Sequence, residues 1–523
     1  MKNPSIPARY VAVLLIIIFI SVFSTPARST DPPVQWGDLF SGPYPVGFTT
    51  IEKYDYSRVF QSKVDYDGDP REGERARPVQ VCIWYPAEPA VESAPMVYGE
   101  YVFPAPDDSR FYGLLSQLQG RELGYLMAAA GNRAAPVADV MNMTVGAVKN
   151  AAPQEGAFPI VIYFADLQSG FSENSVLCEY LASQGYIVAA THSVGTLSLN
   201  AALTAGDLET QVRDREFALA QLHGYPNADT DRLAVIGCGW GGVEALMMQM
   251  RNSDVDAIVT LDGAYLYKDN AELIKENPSF DFTGVKVPSL QMYPGLPDAI
   301  DPSVCEAMPY SERYFAALKR FTHPDFTHYP ALLPDSAAGE SVDDGPSYAT
   351  VCEYVLGFLN AYVSGEQTAL AALDAVVSEY ADNLLVQHML GQKPPPTELE
   401  FVDLIQQGKI DRAIEIYQQL KAARPGDVFF QEATINVMAY RMLQSNQIED
   451  AVKLFKLNAE AFENSANVWD SYADGCIANG DIETAAMCYR KVLEVIPTDS
   501  VTPDATKEII VNNARQFLES QGQ

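Results

Sequence analysis

A chain of 523 residues is too long for one domain of the usual size, and roughly two to four domains are expected. The composition, 48% hydrophobic and 20% charged, excludes a disordered chain and predicts globular domains. Lys and Arg number 35 against 68 Asp and Glu, and the net charge of −33 excludes nucleic acid as an expected partner because like charges repel.

The N-terminus has the pattern of a secretory signal peptide. Lys2 and Arg9 precede an apolar run from Val11 to Phe23, which is followed by the small-residue site Ala27-Arg28-Ser29. We expect residues 1–29 to be cleaved after Ser29 and the mature protein to be periplasmic or extracellular. An uncleaved anchor is the alternative, although the run of 13 residues is shorter than the roughly 20 that span a bilayer. No later segment has the length and apolarity of a span.

Between Val79 and Phe326, apolar runs of strand length alternate with helix-like stretches. The runs are continuous rather than alternating in polarity, which is typical of strands buried on both faces of a parallel sheet. They are VQVCIWYP (79–86), FPIVIYFA (158–165), YIVAATHS (186–193), RLAVIGCG (232–239), DAIVTLDG (256–263) and VPSLQMYP (287–294). For residues 30–392 this pattern predicts an α/β fold with a doubly wound, mostly parallel sheet.

The segment 98–153 interrupts this alternation. It contains two helix-like pieces, LLSQLQGRELGYLMAAAGNR and VADVMNMTVGAVKN. Helical insertions at the carboxyl end of such a sheet often act as lids over a pocket. Helices that only pack against the sheet are the alternative.

The stretch LAVIGCGWGGVEALM (233–247) reads as a strand, a Gly-rich turn and a helix. Serine esterases carry their nucleophile in such a turn, in the pattern G-x-S-x-G, but the central residue is Gly239. Gly237, Gly241 and Gly242 are the glycines that the close crossing of strand and helix requires. Since glycine adopts unusual backbone angles at little cost, loss of the serine relaxes the turn rather than breaking it.

Two further residues have the spacing of a catalytic triad. Asp262 ends the next apolar run, and His323 follows a later strand-like stretch in RFTHPDFTH. The order nucleophile, acid, histidine along the chain is the one that α/β-hydrolases use. Asp262 and His323 are therefore predicted triad remnants beside the vacated position 239, although a hydrogen-bonded pair with a purely structural role is the alternative.

The chain resembles secreted and lipoprotein-associated esterases of the platelet-activating-factor acetylhydrolase and dienelactone hydrolase group. The resemblance extends from about Gly42 to Tyr329, in family order. The shared pieces are GPYPVG (42–47), YDYSR (54–58), ARPVQVCIWYPA (76–87), FPIVIYF (158–164), CEYLASQGYIVAA (178–190), QVRDREFAL (211–219), GCGWGG (237–242), LDG (261–263) and HPDFT (323–327). It implies an α/β-hydrolase fold, an acid at Asp262, a base at His323 and an oxyanion-hole N–H on Trp240.

The chain departs from this family at two positions. Gly239 replaces the nucleophilic serine. Ala165-Asp166-Leu167-Gln168 stands where such esterases often carry a His-Gly or Pro-Gly pair that shapes the oxyanion hole. A carboxylate at Asp166 would oppose a developing oxyanion. Asp166 and Leu167 join Trp240 as predicted oxyanion or binding residues.

Beyond the first domain, Lys393-Pro394-Pro395-Pro396 predicts a stiff linker. The segments 408–425, 446–463 and 480–497 then align, with Ala413, Ala451 and Ala485 separated by 38 and 34 residues. A period of 34 is that of tetratricopeptide repeats. The last repeat resembles that family in Trp469, Tyr472, Ala473, Ala485, Tyr489 and Pro497, with Cys476 where Tyr is usual. Residues 397–523 are predicted to be an all-α repeat domain that either binds a peptide or protein or packs against the first domain.

Cysteine and histidine spacings predict neither a metal nor another cofactor. The seven cysteines lack C-x-x-C spacing, and the histidines lack HExxH spacing. Cys305 with Cys352, and Cys476 with Cys488, are the pairs left open as disulfides of an exported protein.

Three hypotheses follow for function. The first is a non-catalytic pseudo-hydrolase whose pocket binds a small ester-like or lipid-like ligand. The second is an active ester or lactone hydrolase in which Asp262 and His323 activate a water molecule or the thiol of Cys238. The third places the function in the repeats, which would hold a partner protein on a structural hydrolase body. Ser193, in THSVG, matches the esterase pattern only in part, and we interpret that match as accidental.

Overall fold

The structure of the protein is a computed structural model. It describes residues 33–89, 94–130, 134–167, 169–275, 277, 280–296, 298–301, 303–333, 346–366, 368–380, 382–423, 425–426 and 428–522. The expected signal peptide, residues 1–29, and Gln168 lie outside these ranges. Contacts divide the chain into two compact units, one ending at Gln392 and one spanning Lys393–Gln523. Among the described helices, none has the length and apolarity needed to cross a membrane.

One mixed sheet forms the centre of the N-terminal unit. Its strands in the described residues are β1 (Val46–Val59), β2 (Ala76–Pro86), β3 (Ala147–Lys149), β4 (Phe158–Phe164), β5 (Ile187–Thr191), β6 (Ala228–Cys238), β7 (Val255–Leu261), β8 (Ser289–Pro294), β9 (Arg313–Leu318) and β10 (Leu384–Met389). Their order across the sheet is β10-β9-β8-β7-β6-β4-β5-β2-β1-β3. The six neighbouring strands from β5 to β9 in that order run parallel to one another.

All six predicted apolar runs lie on strands of this sheet, which confirms the α/β fold. The run 79–86 differs from the expectation in one respect, because β2 pairs antiparallel with both β1 and β5. Almost every residue of β2 is nevertheless buried. An antiparallel strand covered on both faces has the same continuous apolar sequence as a parallel one.

Helices surround the sheet. In the described part of the N-terminal unit they are α1 (Gly99–Val102), α2 (Tyr112–Ala129), α3 (Ala134–Met141), α4 (Ser175–Ser183), α5 (Ala205–Leu222), α6 (Trp240–Arg251), α7 (Lys268–Lys275), α8 (Ser303–Ala307), α9 (Tyr329–Leu332), α10 (Tyr348–Tyr362) and α11 (Thr368–Glu379). Short 3-10 helices occur at Val34–Trp36, Ser109–Phe111, Phe171–Asn174, Ala264–Leu266, Phe282–Gly284 and His323–Phe326.

The core lies on both faces of the sheet. Along β4, Val161 and Tyr163 point into a cluster that includes side chains of α4 and α10. Ile160 and Ile162 point into a second cluster that includes side chains of α5 and α6. Helices on both faces define the doubly wound arrangement and explain why the strands are apolar throughout.

The predicted insertion contains α1 to α3. Its second piece, 137–150, is helical only as far as Met141, and its end forms β3 instead, which pairs with β1. On α2, the Arg121 guanidinium donates to the carbonyl of Ser193 (2.5 Å), and Glu122 accepts from the hydroxyl of Ser172 (3.1 Å). These contacts fix α2 against the loops that follow β4 and β5.

The C-terminal unit is all-helical in its described residues. Its helices are α12 (Glu398–Gln406), α13 (Ile410–Ala423), α14 (Glu432–Gln444), α15 (Ile448–Ala461), α16 (Ala466–Ala478), α17 (Ile482–Val495) and α18 (Asp504–Ser520). The three aligned sequence segments correspond to α13, α15 and α17. Ala413, Ala451 and Ala485 are fully buried in one core of this unit. The tetratricopeptide assignment itself stays a prediction. Cys352, Cys476 and Cys488 are free thiols, and the side chain of Cys305 is not described.

Candidate active site

The Gly-rich turn has the geometry expected of a nucleophile-bearing crossing. Strand β6 ends at Cys238 and helix α6 begins at Trp240, so that Gly239 alone connects them, with φ 54° and ψ −120°. A residue with a side chain would be strained by about 1–3 kcal/mol at such angles. A Cβ at Gly241 would lie 2.3 Å from the carbonyl oxygen of Phe164, and therefore glycine is needed where α6 crosses β4.

The space beside Gly239 is occupied by the carboxylate of Asp166. A Cβ built on Gly239 would lie 2.2 Å from Oδ1 and 2.4 Å from Cγ of Asp166. Asp166 reaches this place because β4 and β6 are neighbours and Phe164 is paired with Gly237. Asp166 and Gly239 each lie two residues beyond this pair, at the ends of the two strands. The volume of the missing side chain is thus filled by a carboxylate from the adjacent strand end.

Asp166 also uses the predicted oxyanion-hole donor. The backbone N–H of Trp240 donates to Oδ1 of Asp166 at 2.7 Å. The other oxygen, Oδ2, lies 3.5 Å from Nε2 of His323. With its negative charge at the donor, Asp166 opposes the binding of a second anion there.

Asp262 and His323 form the pair that the sequence predicts. Asp262 follows β7 with φ 50° and is 3% exposed. Its Oδ2 lies 2.7 Å from Nδ1 of His323, and its Oδ1 accepts a hydrogen bond from the hydroxyl of Tyr267 at 2.5 Å. His323 begins a short 3-10 helix after β9, and its side chain is 44% exposed. The structure therefore brings Gly239, Trp240, Asp166, Asp262 and His323 together.

The position between two carboxylates decides the charge of His323. Burial lowers the pKa of this histidine, but its interactions with Asp166 and Asp262 more than offset that effect and raise the pKa to about 10. At neutral pH the ring is an imidazolium. An imidazolium cannot accept a proton, so His323 is not available as a general base while both carboxylates face it.

A buried glutamate holds the Asp166 backbone in place. Oε1 of Glu173 accepts from the N–H of Asp166 and from the hydroxyl of Tyr163, both at 2.9 Å. Burial and the nearby charge of Asp166 raise the pKa of Glu173 to about 7. The sequence analysis missed this residue. A glutamate shortly after a buried strand was a signal that could have found it.

The remaining candidates lie in less reactive surroundings. Cys238 is fully buried in the sheet, and burial raises the pKa of its thiol well above the usual value, which disfavours the thiolate. Leu167 follows Asp166 and is half-buried. Ser193 is buried just after β5. Burial lowers the pKa of both His192 and His328 to about 3. Among the described residues, no group of three or more His, Cys, Asp or Glu side chains is placed to hold a metal ion.

A small, mostly apolar cavity lies beside the start of α6. It has a volume of about 200 Å³, and Asp166, Asp262 and His323 do not line it. Its lining consists of Leu203, Ala205, Leu208, Trp240, Val243 and Ile274 with the polar residues Thr204 and Asn277. Trp240 contributes to both the turn and the cavity. Its backbone N–H donates to Asp166, and the residue also lines the cavity. A cavity of this size and composition suits a short alkyl or similarly small apolar group.

The sheet order, the helix layers and the turn after β6 define the N-terminal unit as an α/β-hydrolase fold. No protein-family model matches the chain. A curated protein of Methylorubrum extorquens, named "Putative carboxymethylenebutenolidase", is 28% identical over 211 residues, which are 38% of this chain and 69% of the relative. A solved ferulic acid esterase from Streptomyces cinnamoneus has 20% identity and a TM-score of 0.44, covering 65% of this chain and 93% of that one. The N-terminal unit is thus similar to proteins of the carboxymethylenebutenolidase, or dienelactone hydrolase, kind.

Proposed function

We propose that the N-terminal unit is a pseudo-hydrolase with respect to esters and lactones: it keeps the fold and the acid–histidine pair but has lost serine catalysis. One observation carries this proposal, namely that the carboxylate of Asp166 fills the space of the missing serine side chain. A ligand in the apolar cavity beside Trp240 would be bound rather than cleaved by a serine mechanism. Removal of such a nucleophile costs about 10⁶ in turnover in a serine protease.

The competing hypothesis of an ester hydrolase with a substitute nucleophile is less well supported. A water molecule activated by His323 requires a neutral ring, whereas the two carboxylates keep the ring charged at neutral pH. Cys238 would have to act from within the packed sheet as a protonated thiol. Neither route suits the geometry.

A restoration experiment tests the proposal. We would follow acid release from an unactivated alkyl ester, ethyl butanoate, by the wild type, Gly239→Ser, Asp166→Gly and the double variant. We expect the wild type and both single variants to be silent. In Gly239→Ser the new hydroxymethyl group would meet the Asp166 carboxylate, and Asp166→Gly clears that space without supplying a nucleophile. The double variant should turn over. His323-dependent hydrolysis by the wild type would refute the proposal.

A second proposed function belongs to the C-terminal unit. A separate hydrophobic core and three aligned helices support the idea that this unit is a repeat module that holds a protein partner. Pull-down with the segment Thr397–Gln523 is the corresponding test, and the absence of any specific partner would count against it. Export stays a proposal on the sequence of residues 1–29, which predicts a mature N-terminus at Thr30.

A further inference from the structure

The carboxylate of Asp166 occupies the nucleophile position and has a free face toward solvent. We propose that Asp166 is itself a nucleophile, and that the N-terminal unit hydrolyses alkyl compounds in which a saturated carbon carries a good leaving group, such as a halide. This inference rests on the proposed loss of serine catalysis, because a serine side chain and this carboxylate cannot share one space.

The contacts of Asp166 orient it for attack. Oδ1 is held by the N–H of Trp240 at 2.7 Å, which leaves Oδ2 on the side of His323. The side chain is 25% exposed, so that a small molecule can reach it. Carboxylates of Asp and Glu act as covalent nucleophiles in other enzymes. The cavity of about 200 Å³ that Trp240 lines does not include Asp166 in its lining, so the substrate must be small enough to reach the carboxylate from solvent.

Carboxylate chemistry also accounts for the choice of substrate. Attack on the carbonyl of an alkyl ester would lead to an intermediate that expels the carboxylate more readily than the alkoxide, and the ester would be returned unchanged. Attack on a saturated carbon has no such return path once a stable anion has left. The same residue therefore excludes alkyl esters and favours alkyl halides.

The reaction balances in two steps. In the first, Oδ2 of Asp166 forms a bond to the carbon, the carbon–halogen bond breaks, and its electron pair leaves with the halide. In the second, water attacks Cγ of the resulting ester, His323 Nε2 takes a proton from the water, and the N–H of Trp240 faces the oxyanion that forms on Oδ1. Collapse breaks the bond between Cγ and Oδ2 and releases the alcohol, which takes the proton from His323. The new carboxylic acid of Asp166 then gives its proton to His323, which restores the carboxylate and the imidazolium. The sum is alkyl halide plus water giving alcohol, halide and a proton.

The charges of Asp166 and His323 change in the order that the two reaction steps require. Before the first step, His323 lies between two carboxylates and is protonated. Alkylation converts Asp166 into a neutral ester and leaves Asp262 as the remaining anion beside the ring. The imidazolium then loses one of its two stabilising partners and can release its proton to solvent. The histidine becomes a base only after the covalent intermediate has formed.

Covalent trapping tests the inference. Bromoethane is small enough to reach the exposed part of the Asp166 side chain from solvent. In the full chain with His323→Gln, the first step should proceed and the second should stop, and the ethyl ester should accumulate on the peptide that contains Asp166. Asp166→Asn in the same background should lose the adduct. Asp231→Asn is the matched control, because it removes an exposed carboxylate on β6 and should leave the adduct on Asp166 unchanged.

Wild-type protein gives the second readout. It should release bromide over many turnovers, and single turnovers in ¹⁸O-labelled water should place the label in the Asp166 carboxylate. Absence of the adduct on Asp166, or equal labelling of surface carboxylates, would overturn the inference while leaving the loss of ester hydrolysis intact. Hydrolysis of ethyl butanoate by the wild type would instead overturn the proposed function, and the two failures are read in separate assays.

Discussion

His323 is stabilised in its charged form by carboxylates from two different strand ends. Asp166 follows β4 and Asp262 follows β7, and the only ordinary route to a neutral ring is to raise the pH or remove one of these charges. A pKa raised in the folded state from 6.5 to about 10 contributes stability that is fully present below pH 6.5 and is lost as the pH rises toward 10.

This linkage predicts the pH dependence of stability. We expect the melting temperature of the wild type to exceed that of His323→Gln near pH 6, and the difference to shrink steadily up to about pH 10. The ring is partly exposed, so that solvent screens part of the effect. Thermal unfolding of both proteins across this pH range is the measurement. A difference that does not change with pH would show that the carboxylates do not hold the proton.

The residues of the site are predictable from the sequence. The presence of the Asp166 carboxylate in the space of the serine side chain is not. Gly239, Asp262 and His323 follow from motif and chain order, and the sequence also predicts a charge at Asp166 close to the oxyanion hole. That its carboxylate lies in the place of the serine side chain depends on the pairing of Phe164 with Gly237. Residues 166 and 239 are far apart in sequence, and only the register of two parallel strands determines that they meet.

At the scale of elements, backbone atoms tightly constrain the crossing of α6 over β4. A Cβ on Gly241 would lie 2.3 Å from the Phe164 oxygen and 2.6 Å from the Ala165 oxygen, both of which are backbone atoms that cannot rotate away. We expect Gly241→Ala to lower the free energy of unfolding by about 1–3 kcal/mol or more, as overpacking does. Denaturant unfolding measures the change.

Gly113 is the matched control for this substitution. It lies in the first turn of α2, and a Cβ there would have no atom within 4 Å. Gly113→Ala should raise the free energy of unfolding by up to about 1 kcal/mol, because alanine favours helix. If both substitutions destabilised the protein equally, the crossing would not be the cause.

The sequence predicts the positions of the buried strands, because burial determines their apolar pattern. It does not predict whether a strand pairs parallel or antiparallel with its neighbours. The apolar runs from β4 to β8 were located correctly. Strand β2 could not be distinguished from its parallel neighbours because both of its faces are covered. The sequence predicts that Ala147–Lys149, which form β3, continue a helix. Three residues are too few to show the alternating polarity of a strand. Long-range pairing with β1 overrides the local helical preference there.

At the scale of the whole molecule, each unit has its own hydrophobic core. Phe455 is fully buried in the core of the C-terminal unit, where its ring packs edge-on against Tyr440 at 4.8 Å. Phe358 is fully buried in a core cluster of the N-terminal unit, against Tyr314 and Tyr362. Within the described residues, no side chain belongs to both of these clusters, so that a cavity made in one core removes apolar contacts from that core.

Replacement of either ring by alanine should therefore lower the stability of the unit that contains it. We expect Phe455→Ala to reduce the stability of the C-terminal unit by about 3–5 kcal/mol, the usual cost of removing a buried aromatic side chain. Phe358→Ala should do the same to the N-terminal unit and should also lower bromide release by the fraction unfolded. Calorimetry of the full chain, with circular dichroism at helix-sensitive wavelengths, separates the two transitions. If each variant shifted both transitions equally, the chain would unfold as one cooperative body. The C-terminal unit would then contribute to the stability of the N-terminal unit.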